Sequence, residues 1–376
     1  MRTVAVLQHR LLHYRVRLFE ELRNACLRRG IDLMLVHGQA SPREQKKKDT
    51  GMVPWALTVT NRFWEIGSVD VLWQPLPRAV RRADLTILMQ ENRILSNYPL
   101  LVSRLWSRQK IAYWGHGKNF QSIAPDGLRE RWKDLMLRRV DWWFAYTDIT
   151  AGILTRAGFP QERITCLNNA IDTAGFTADL ASVSDDDIRK ERSRLGIPDR
   201  APVGLFCGSL YPEKRIDVLL AAADIIRSRL PGFTLVIIGD GPSMAGIHAF
   251  SAKRPWLHAL GLRTGREKAL YYRMSDCVLN PGLVGLHIVD AFCSGLPMIT
   301  TNNAAHSPEI AYFRDGENGI MTGDSVAEYA AAVSELLVNE GTLARMKREA
   351  AADAGKYTLD AMVTHFADGI EKALAQ

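Results

Sequence analysis

Apolar residues fall in short blocks separated by longer amphipathic stretches along most of this chain. Val4–Leu7 has the length and composition of a buried strand. Leu12, Val16, Phe19, Leu22 and Cys26 then share one helical face that stops at Gly30, and Asp32–Val36 predicts the next strand. A polar, basic loop covers 41–53, and the Trp-, Thr- and Val-rich stretch 55–73 predicts one or two strands. Leu85–Met89 and Lys110–Trp114 predict strands around a helix at 94–108, with Trp142–Tyr146 as a further strand. The second half repeats the pattern. Val203–Cys207 predicts a strand, Ile216–Arg229 a helix ended by Pro231-Gly232, and Thr234–Ile238 a strand closed by Gly239-Asp240-Gly241-Pro242. Cys277–Leu279 and Met298–Thr300 predict strands flanking a helix at 287–294, and 357–376 a final amphipathic helix.

Alternation of this kind predicts an α/β protein: two tandem doubly wound, Rossmann-like domains facing a cleft. Ser, Asp and Gly are frequent over 173–200, which sets the expected boundary there and divides the chain into 1–180, 181–356 and a C-terminal helix 357–376. Open parallel sheets bind ligands outside the carboxyl ends of their strands, so informative residues should follow strands directly.

At 376 residues, with 47% hydrophobic and 24% charged residues, the chain is neither disordered, collagen-like nor a coiled coil. No apolar run approaches the ~20 residues that cross a bilayer. The apolar stretch at the start is shorter than that of a signal peptide. Five scattered cysteines, Cys26, Cys166, Cys207, Cys277 and Cys293, argue against a zinc knuckle or a disulfide framework and fit a reducing cytosol. The net charge of +7 is uneven: residues 1–180 hold 27 Lys and Arg against 17 Asp and Glu, residues 181–376 hold 21 against 24. A basic half attracts phosphate, and with no nucleic-acid module visible an anionic membrane or lipid-linked phosphate is the expected partner rather than nucleic acid. Arg43 with Lys46–Lys48 contributes, as does Arg129–Arg139. There Trp132, Leu135, Met136, Val140 and Trp143 recur at helical spacing, suited either to a membrane surface or to the protein's own core.

Four segments could carry chemistry. Asn280–Pro297 runs from a strand end through a glycine loop into a helix, where the amides of Gly285, Leu286 and His287 suit an anion and Asp290 suits ribose hydroxyls. In Phe206–Arg215, Lys214 stands at a helix start, where a cation is unfavourable unless it serves an anion. His116 lies between two glycines directly after a strand. His13, Tyr14 and Arg15 follow the first strand at the first turn of a helix. Gly239-Asp240-Gly241 lacks the third glycine of a dinucleotide fingerprint and reads as a structural turn. Asp185-Asp186-Asp187 reads as helix-dipole complementation rather than a metal site, and no cluster has metal-ligand spacing.

Taken together, His13-Tyr14-Arg15, Trp114-Gly-His116-Gly, Asn168-Asn-Ala-Ile-Asp172, Gly208-Ser-Leu-Tyr-Pro-Glu-Lys214, Pro308-Glu309 and Asp315-Gly-Glu-Asn-Gly319 span nearly the whole chain. This set resembles the retaining glycosyltransferases of family 4 (glycosyl transferases group 1), of GT-B architecture. The resemblance implies a first domain that binds an acceptor and a second that binds a nucleotide-sugar (UDP- or GDP-sugar), with no metal or other cofactor and a C-terminal helix that packs back on the first domain. It implies diphosphate binding by Lys214 and a place for His116 beside the donor sugar. Gly208, Ser209, Gly285, Leu286, His287, Asp290 and Glu309 would complete the donor site, and His13, Tyr14, Arg15 and Asn92 would meet the acceptor. Two departures stand out: Ser209 replaces the family's arginine, and Gly282 replaces the first glutamate of its Glu-x7-Glu motif, with His287 as a partial substitute. The implied reaction moves a sugar with retention to a hydroxyl of a glycan or lipid-linked acceptor in surface polysaccharide or glycoconjugate synthesis, in the cytoplasm or peripherally on the inner face of the membrane. The alternatives are a non-catalytic relative that binds glycan or membrane, and a sugar-nucleotide 2-epimerase.

Overall fold

The computed structural model describes residues 1–45, 49–67, 69–104, 106–117, 136–302 and 305–376. The chain forms two compact units, Met1–Asp172 with Leu359–Gln376, and Thr173–Thr358. The first division falls before residue 180 because the helix Thr173–Ser182 packs on Gly265–Arg273 in the second unit. Phe176 meets Tyr272 edge-on at 5.3 Å and lies under the Lys268 ammonium at 4.2 Å.

The first unit contains β1 (Arg2–Arg10), β2 (Ile31–Gly38), β3 (Leu57–Thr58), β4 (Arg62–Ile66), β5 (Val69–Trp73), β6 (Leu85–Met89), β7 (Lys110–Gly115), β8 (Trp142–Ala145) and β9 (Ile164–Cys166). Seven of these form a parallel sheet in the order β3-β2-β1-β6-β7-β8-β9. β1 is buried over most of its length, which suits the continuous apolar run of a strand covered on both faces. β4 and β5 stand apart as an antiparallel hairpin that the sequence pattern did not separate from the stretch 55–73. The helix expected at 94–108 is confined to Asn97–Ser103. His13–Arg15 is a single 3-10 turn, and the helix proper runs Val16–Arg28 with Leu18, Phe19, Leu22 and Cys26 buried. The basic segments Lys46–Lys48 and 118–135, which include Lys118 and residues 129–135 of the amphipathic stretch 129–143, lie outside the described residues.

The helix Leu359–Ala375 belongs to the first unit and fills its core. Its Phe366 packs on Trp114 at 5.0 Å and on Phe144 at 4.6 Å. Arg2 and Lys110 donate to the carbonyls of Ala373 and Leu374 at its C-terminus, where cations complement the helix dipole.

The second unit contains β10 (Val203–Cys207), β11 (Thr234–Ile238), β12 (Leu257–Ala259), β13 (Cys277–Leu279), β14 (Met298–Thr301) and β15 (Gly319–Thr322), parallel in the order β12-β11-β10-β13-β14-β15. Its first strand lies between β11 and β13, so the strand order reverses there and opens a crevice at the carboxyl ends of β10 and β13. The first sheet reverses in the same way between β1 and β6. The aspartates 185–187 lie inside the first turn of the helix Asp185–Arg194. Ser184 and Asp187 form a reciprocal cap there, and Asp185, Asp186 and Asp187 pair with Arg273, Arg189 and Arg266.

Gly369 marks how tightly the last helix packs. A Cβ there would lie 2.5 Å from Thr165 Oγ1 and 2.7 Å from Phe144 Cε1. Gly369→Ala should therefore lose ~1–3 kcal/mol through overpacking, read as a lower midpoint in urea unfolding.

Candidate functional site

In the second unit, three glycine-dependent turns set the floor of the crevice. Gly239 has φ +148°, and a Cβ on it would lie 1.8 Å from the Gly208 carbonyl oxygen, so the turns after β10 and β11 touch backbone to backbone. The Leu210 amide donates to Asp240 O at 2.9 Å, and the Ser243 amide to Leu210 O at 3.0 Å. Gly239-Asp240-Gly241 thus holds the Gly208 turn in place, and Ser209 is left exposed on it.

Beyond that turn Lys214 is buried, and its Nζ donates to the carbonyl of Leu283. Burial brings the ammonium down to about 8, while Cys207, Glu309 and Glu213 partly hold it up. The loop after β13 is pinned around it. The Leu283 amide donates to Glu213 O at 2.8 Å, Thr301 Oγ1 donates to Pro281 O at 2.7 Å, and Asn280 Nδ2 donates to Gly282 O at 3.0 Å. Gly282 is what allows this approach: a Cβ there would lie 2.3 Å from Glu213 O and from Lys214 C. No side chain fits at 282 without moving this loop, so the carboxylate that the resemblance leads one to look for has no room. Arg215 does not stand in for a second phosphate cation. Its backbone is left-handed, with φ 53°, and its guanidinium is engaged by Asp324 and Thr301.

The helix His287–Cys293 follows, with Ile288 N–H on Gly285 O and Val289 N–H on Leu286 O. Burial, then the cations Lys214 and Lys268, hold His287 well below the ordinary histidine range and keep it neutral. Its Nε2 is buried with no hydrogen-bond partner among the described residues. Asp290 Oδ1 lies 2.9 Å from Lys268 Nζ. Burial raises Asp290 and Lys268 opposes the rise, while Asp290 holds Lys268 protonated against its own burial. Glu309 is buried on the short 3-10 helix Pro308–Tyr312 and acts electrostatically on Lys214.

Sequence reasoning missed His306. Its Nδ1 accepts from the Val284 amide at 3.1 Å, so the proton sits on Nε2, which donates to Thr301 O at 2.8 Å. It ties the glycine loop to the end of β14. A histidine two residues before the Pro308-Glu309 turn was the available signal. Lys268 was missed as well, because nothing in its own helix marks it as the partner of a residue in another.

In the first unit, His116 is exposed after β7, with its ring edge-on to Tyr146 at 4.3 Å. Gln90 braces that turn: its Oε1 accepts from the Gly117 amide at 3.1 Å. His13 is exposed and directs both amide and ring to Asp49 O. Tyr14 is half-buried beside it at 5.8 Å. Arg15 is buried, donates to Asn169 Oδ1 at 2.7 Å, and lies 5.1 Å from the Trp114 ring. Its other terminal nitrogen points to Met362 Sδ at 3.8 Å, within the same unit. Asn92 is half-buried, and its carbonyl accepts from Tyr98 OH at 3.2 Å.

A second cluster at the reversal point of the first sheet was not foreseen. His9 Nε2 lies 3.1 Å from Glu44 Oε1, and Arg93 reaches Glu44 at 3.0 Å and Glu91 at 2.6 Å. Arg10 is bidentate on Asp49. Glu44 and Glu91 both lie below the ordinary carboxylate range: burial works against this, and His9 and Arg93 outweigh it. These residues come from three separate segments, so no local motif announces them. Among the described residues no group of three or more His, Cys, Asp or Glu could hold a metal ion.

Two doubly wound parallel sheets, the second with a buried lysine and paired glycine turns at its reversal point, define an α/β protein of the GT-B class. The crystal structure of Anabaena Alr3699/HepE in complex with UDP superposes with a TM-score of 0.70 at 17% identity, over 99% of this chain and 100% of that one. Residues 201–339 match the family model described as "Glycosyl transferases group 1". The chain is 31% identical over 217 residues to a D-inositol 3-phosphate glycosyltransferase of Rhodococcus jostii, covering 54% of this chain and 46% of that relative. A Salinispora arenicola protein of the same name is 26% identical over 323 residues, 76% of this chain and 71% of that one. The family match takes in residues 201–339 of this chain, and the chain spans about half the length of the first of these relatives.

The close approach at Gly282 is open to test. Gly282→Ala should lower stability by ~1–3 kcal/mol, because a methyl group there must displace backbone at 213–214. Chemical denaturation measures it, and an unchanged midpoint would show that the loop is not clamped.

Proposed function

We propose that this chain transfers a sugar from a nucleoside diphosphate to an acceptor hydroxyl with retention at the anomeric carbon. The observation that carries the reading is Lys214: an ammonium buried at the reversal point of the second sheet, within the segment matched by the family model. Burying a cation costs stability unless an anion compensates it, and a diphosphate supplies that anion. As the bond from the anomeric carbon to the phosphate oxygen breaks, its electron pair goes to that oxygen, and Lys214 stabilises the growing charge. The acceptor oxygen attacks from the same face, and its proton passes to the departing phosphate oxygen.

The remaining roles follow the resemblance. Asp290 serves the ribose, Gly208, Ser209, Gly285, Leu286, His287 and Glu309 complete the donor site, and His116 serves the reacting sugar. His13, Tyr14 and Asn92 meet the acceptor, with Arg15 holding their turn. UDP in the Anabaena structure supports a uridine donor, with a guanosine donor as the alternative. The acceptor is a glycan or lipid-linked carrier met at an anionic membrane surface, in surface polysaccharide or glycoconjugate synthesis on the cytoplasmic side. The basic balance of the first 180 residues supports this. A soluble phosphorylated polyol is the second reading, favoured by the names of the two bacterial relatives.

Thermal unfolding with UDP, GDP, ADP and dTDP in turn tests the donor site. One nucleotide at a hundred times its dissociation constant should stabilise wild type by ~2.7 kcal/mol. Lys214→Ala should lose that shift and nearly all turnover while melting no lower than wild type without ligand, since it removes a buried charge. Full turnover in Lys214→Ala would refute the assignment.

A further inference from the structure

The β4–β5 hairpin presents an apolar face that the described residues leave exposed. Its register pairs Arg62 with Trp73, Trp64 with Val71 and Ile66 with Val69, and directly opposed residues share a face. Trp64, Ile66 and Trp73 are 47%, 65% and 37% exposed. The other face does the structural work: Leu72 and Asp70 are buried, and Asp70 accepts from Ser41 Oγ at 2.6 Å. The segment after β6 extends the sheet, with Leu72 N–H on Arg93 O and Leu95 N–H on Leu72 O. Leu72 is bridged in parallel to Ile94, so Leu95, 38% exposed, continues the outer face beside Trp73. A contiguous exposed apolar face on a protruding hairpin marks an interaction site, because left uncovered it invites aggregation.

The charge pattern selects the occupant. Both carboxylates of the hairpin, Glu65 and Asp70, fall on the face opposite to Trp64 and are drawn to Arg43, at 3.2 and 3.5 Å. The outer face thus keeps one cation, Arg62, and no anion. Ile66 and Val69 flank the tip, and Trp64 stands two residues behind, ~7 Å along the strand. That spacing matches the ~5–10 Å to which interfacial segments enter a bilayer, with aliphatic groups deepest and tryptophan at headgroup level. A sugar ring would stack on the tryptophans but would leave the aliphatic tip uncovered.

We propose that the outer face of hairpin Arg62–Trp73 docks this protein on a membrane surface bearing anionic lipid. The inference rests on the membrane part of the proposed function and names the surface responsible. Flotation of the full chain with vesicles tests it, using phosphatidylglycerol and phosphatidylcholine in equal parts against phosphatidylcholine alone. Wild type floats with the anionic vesicles and not with the neutral ones. The double variant Trp64→Ser/Ile66→Ser floats about tenfold less. Arg62→Glu, a surface change that leaves the hairpin core intact, loses several-fold on anionic vesicles only. Uridine diphosphate raises the melting temperature of wild type and variants alike, which separates this surface from the donor site. Wild type that does not float refutes the membrane reading. Variants that float like wild type refute the hairpin assignment, and variants that turn a dimer into a monomer with flotation unchanged show that a second copy covers the face instead.

Discussion

A cation held inside the second sheet organises what surrounds it. Lys214 gives up most of its hydration and, among the described residues, gains the carbonyl of Leu283, with acidic groups nearby. A buried ammonium with so little compensation is unfavourable to the fold alone. The chain nevertheless builds around it: the left-handed Arg215 ends the turn, Gly282 lets the loop close on 213–214, and His306 ties that loop to β14. His287 and Lys268 stand in the same field, and it holds His287 neutral. Stability is surrendered at one point, where strand order reverses and the glycine turns meet backbone to backbone.

Much of this was legible in the sequence because the signals were local. Apolar blocks between amphipathic stretches gave the alternation, and Gly208, Gly239 and Gly282 stand where backbone meets backbone. Lys214 announced itself by standing at a helix start where a cation is out of place. Tertiary pairings were illegible. Lys268 on Asp290, Arg15 on Asn169 and the cluster of His9, Glu44, Glu91 and Arg93 each join distant segments, and no spacing rule reaches across them. The stretch 55–73 predicts one or two strands, but its division into β3 and the separate β4–β5 hairpin was illegible for another reason. The hairpin's apolar positions Trp64, Ile66, Val69 and Val71 alternate with Glu65 and Asp70, but it is the carboxylate-bearing face that packs inward, the reverse of a half-buried strand.

The family match and the departures from its pattern carry different information. The match covers 201–339 and lies within the second unit. The departures at Ser209 and Gly282 remove two charged groups from the expected pattern, and the packing at Gly282 shows that the change is built into the backbone. In the first unit the paired charges at the β1–β6 reversal point and the exposed hairpin are features of this chain that its sequence pattern did not announce.

The most direct test of the account is the proton balance of nucleotide binding. Burial brings Lys214 down to about 8 in the free protein, and a diphosphate beside it must raise it. Calorimetric titration with uridine diphosphate at pH 8, in buffers of different ionisation enthalpy, should show proton uptake in wild type and none in Lys214→Met. Binding by wild type with no proton uptake, or equal uptake by the variant, would contradict a diphosphate seated on Lys214.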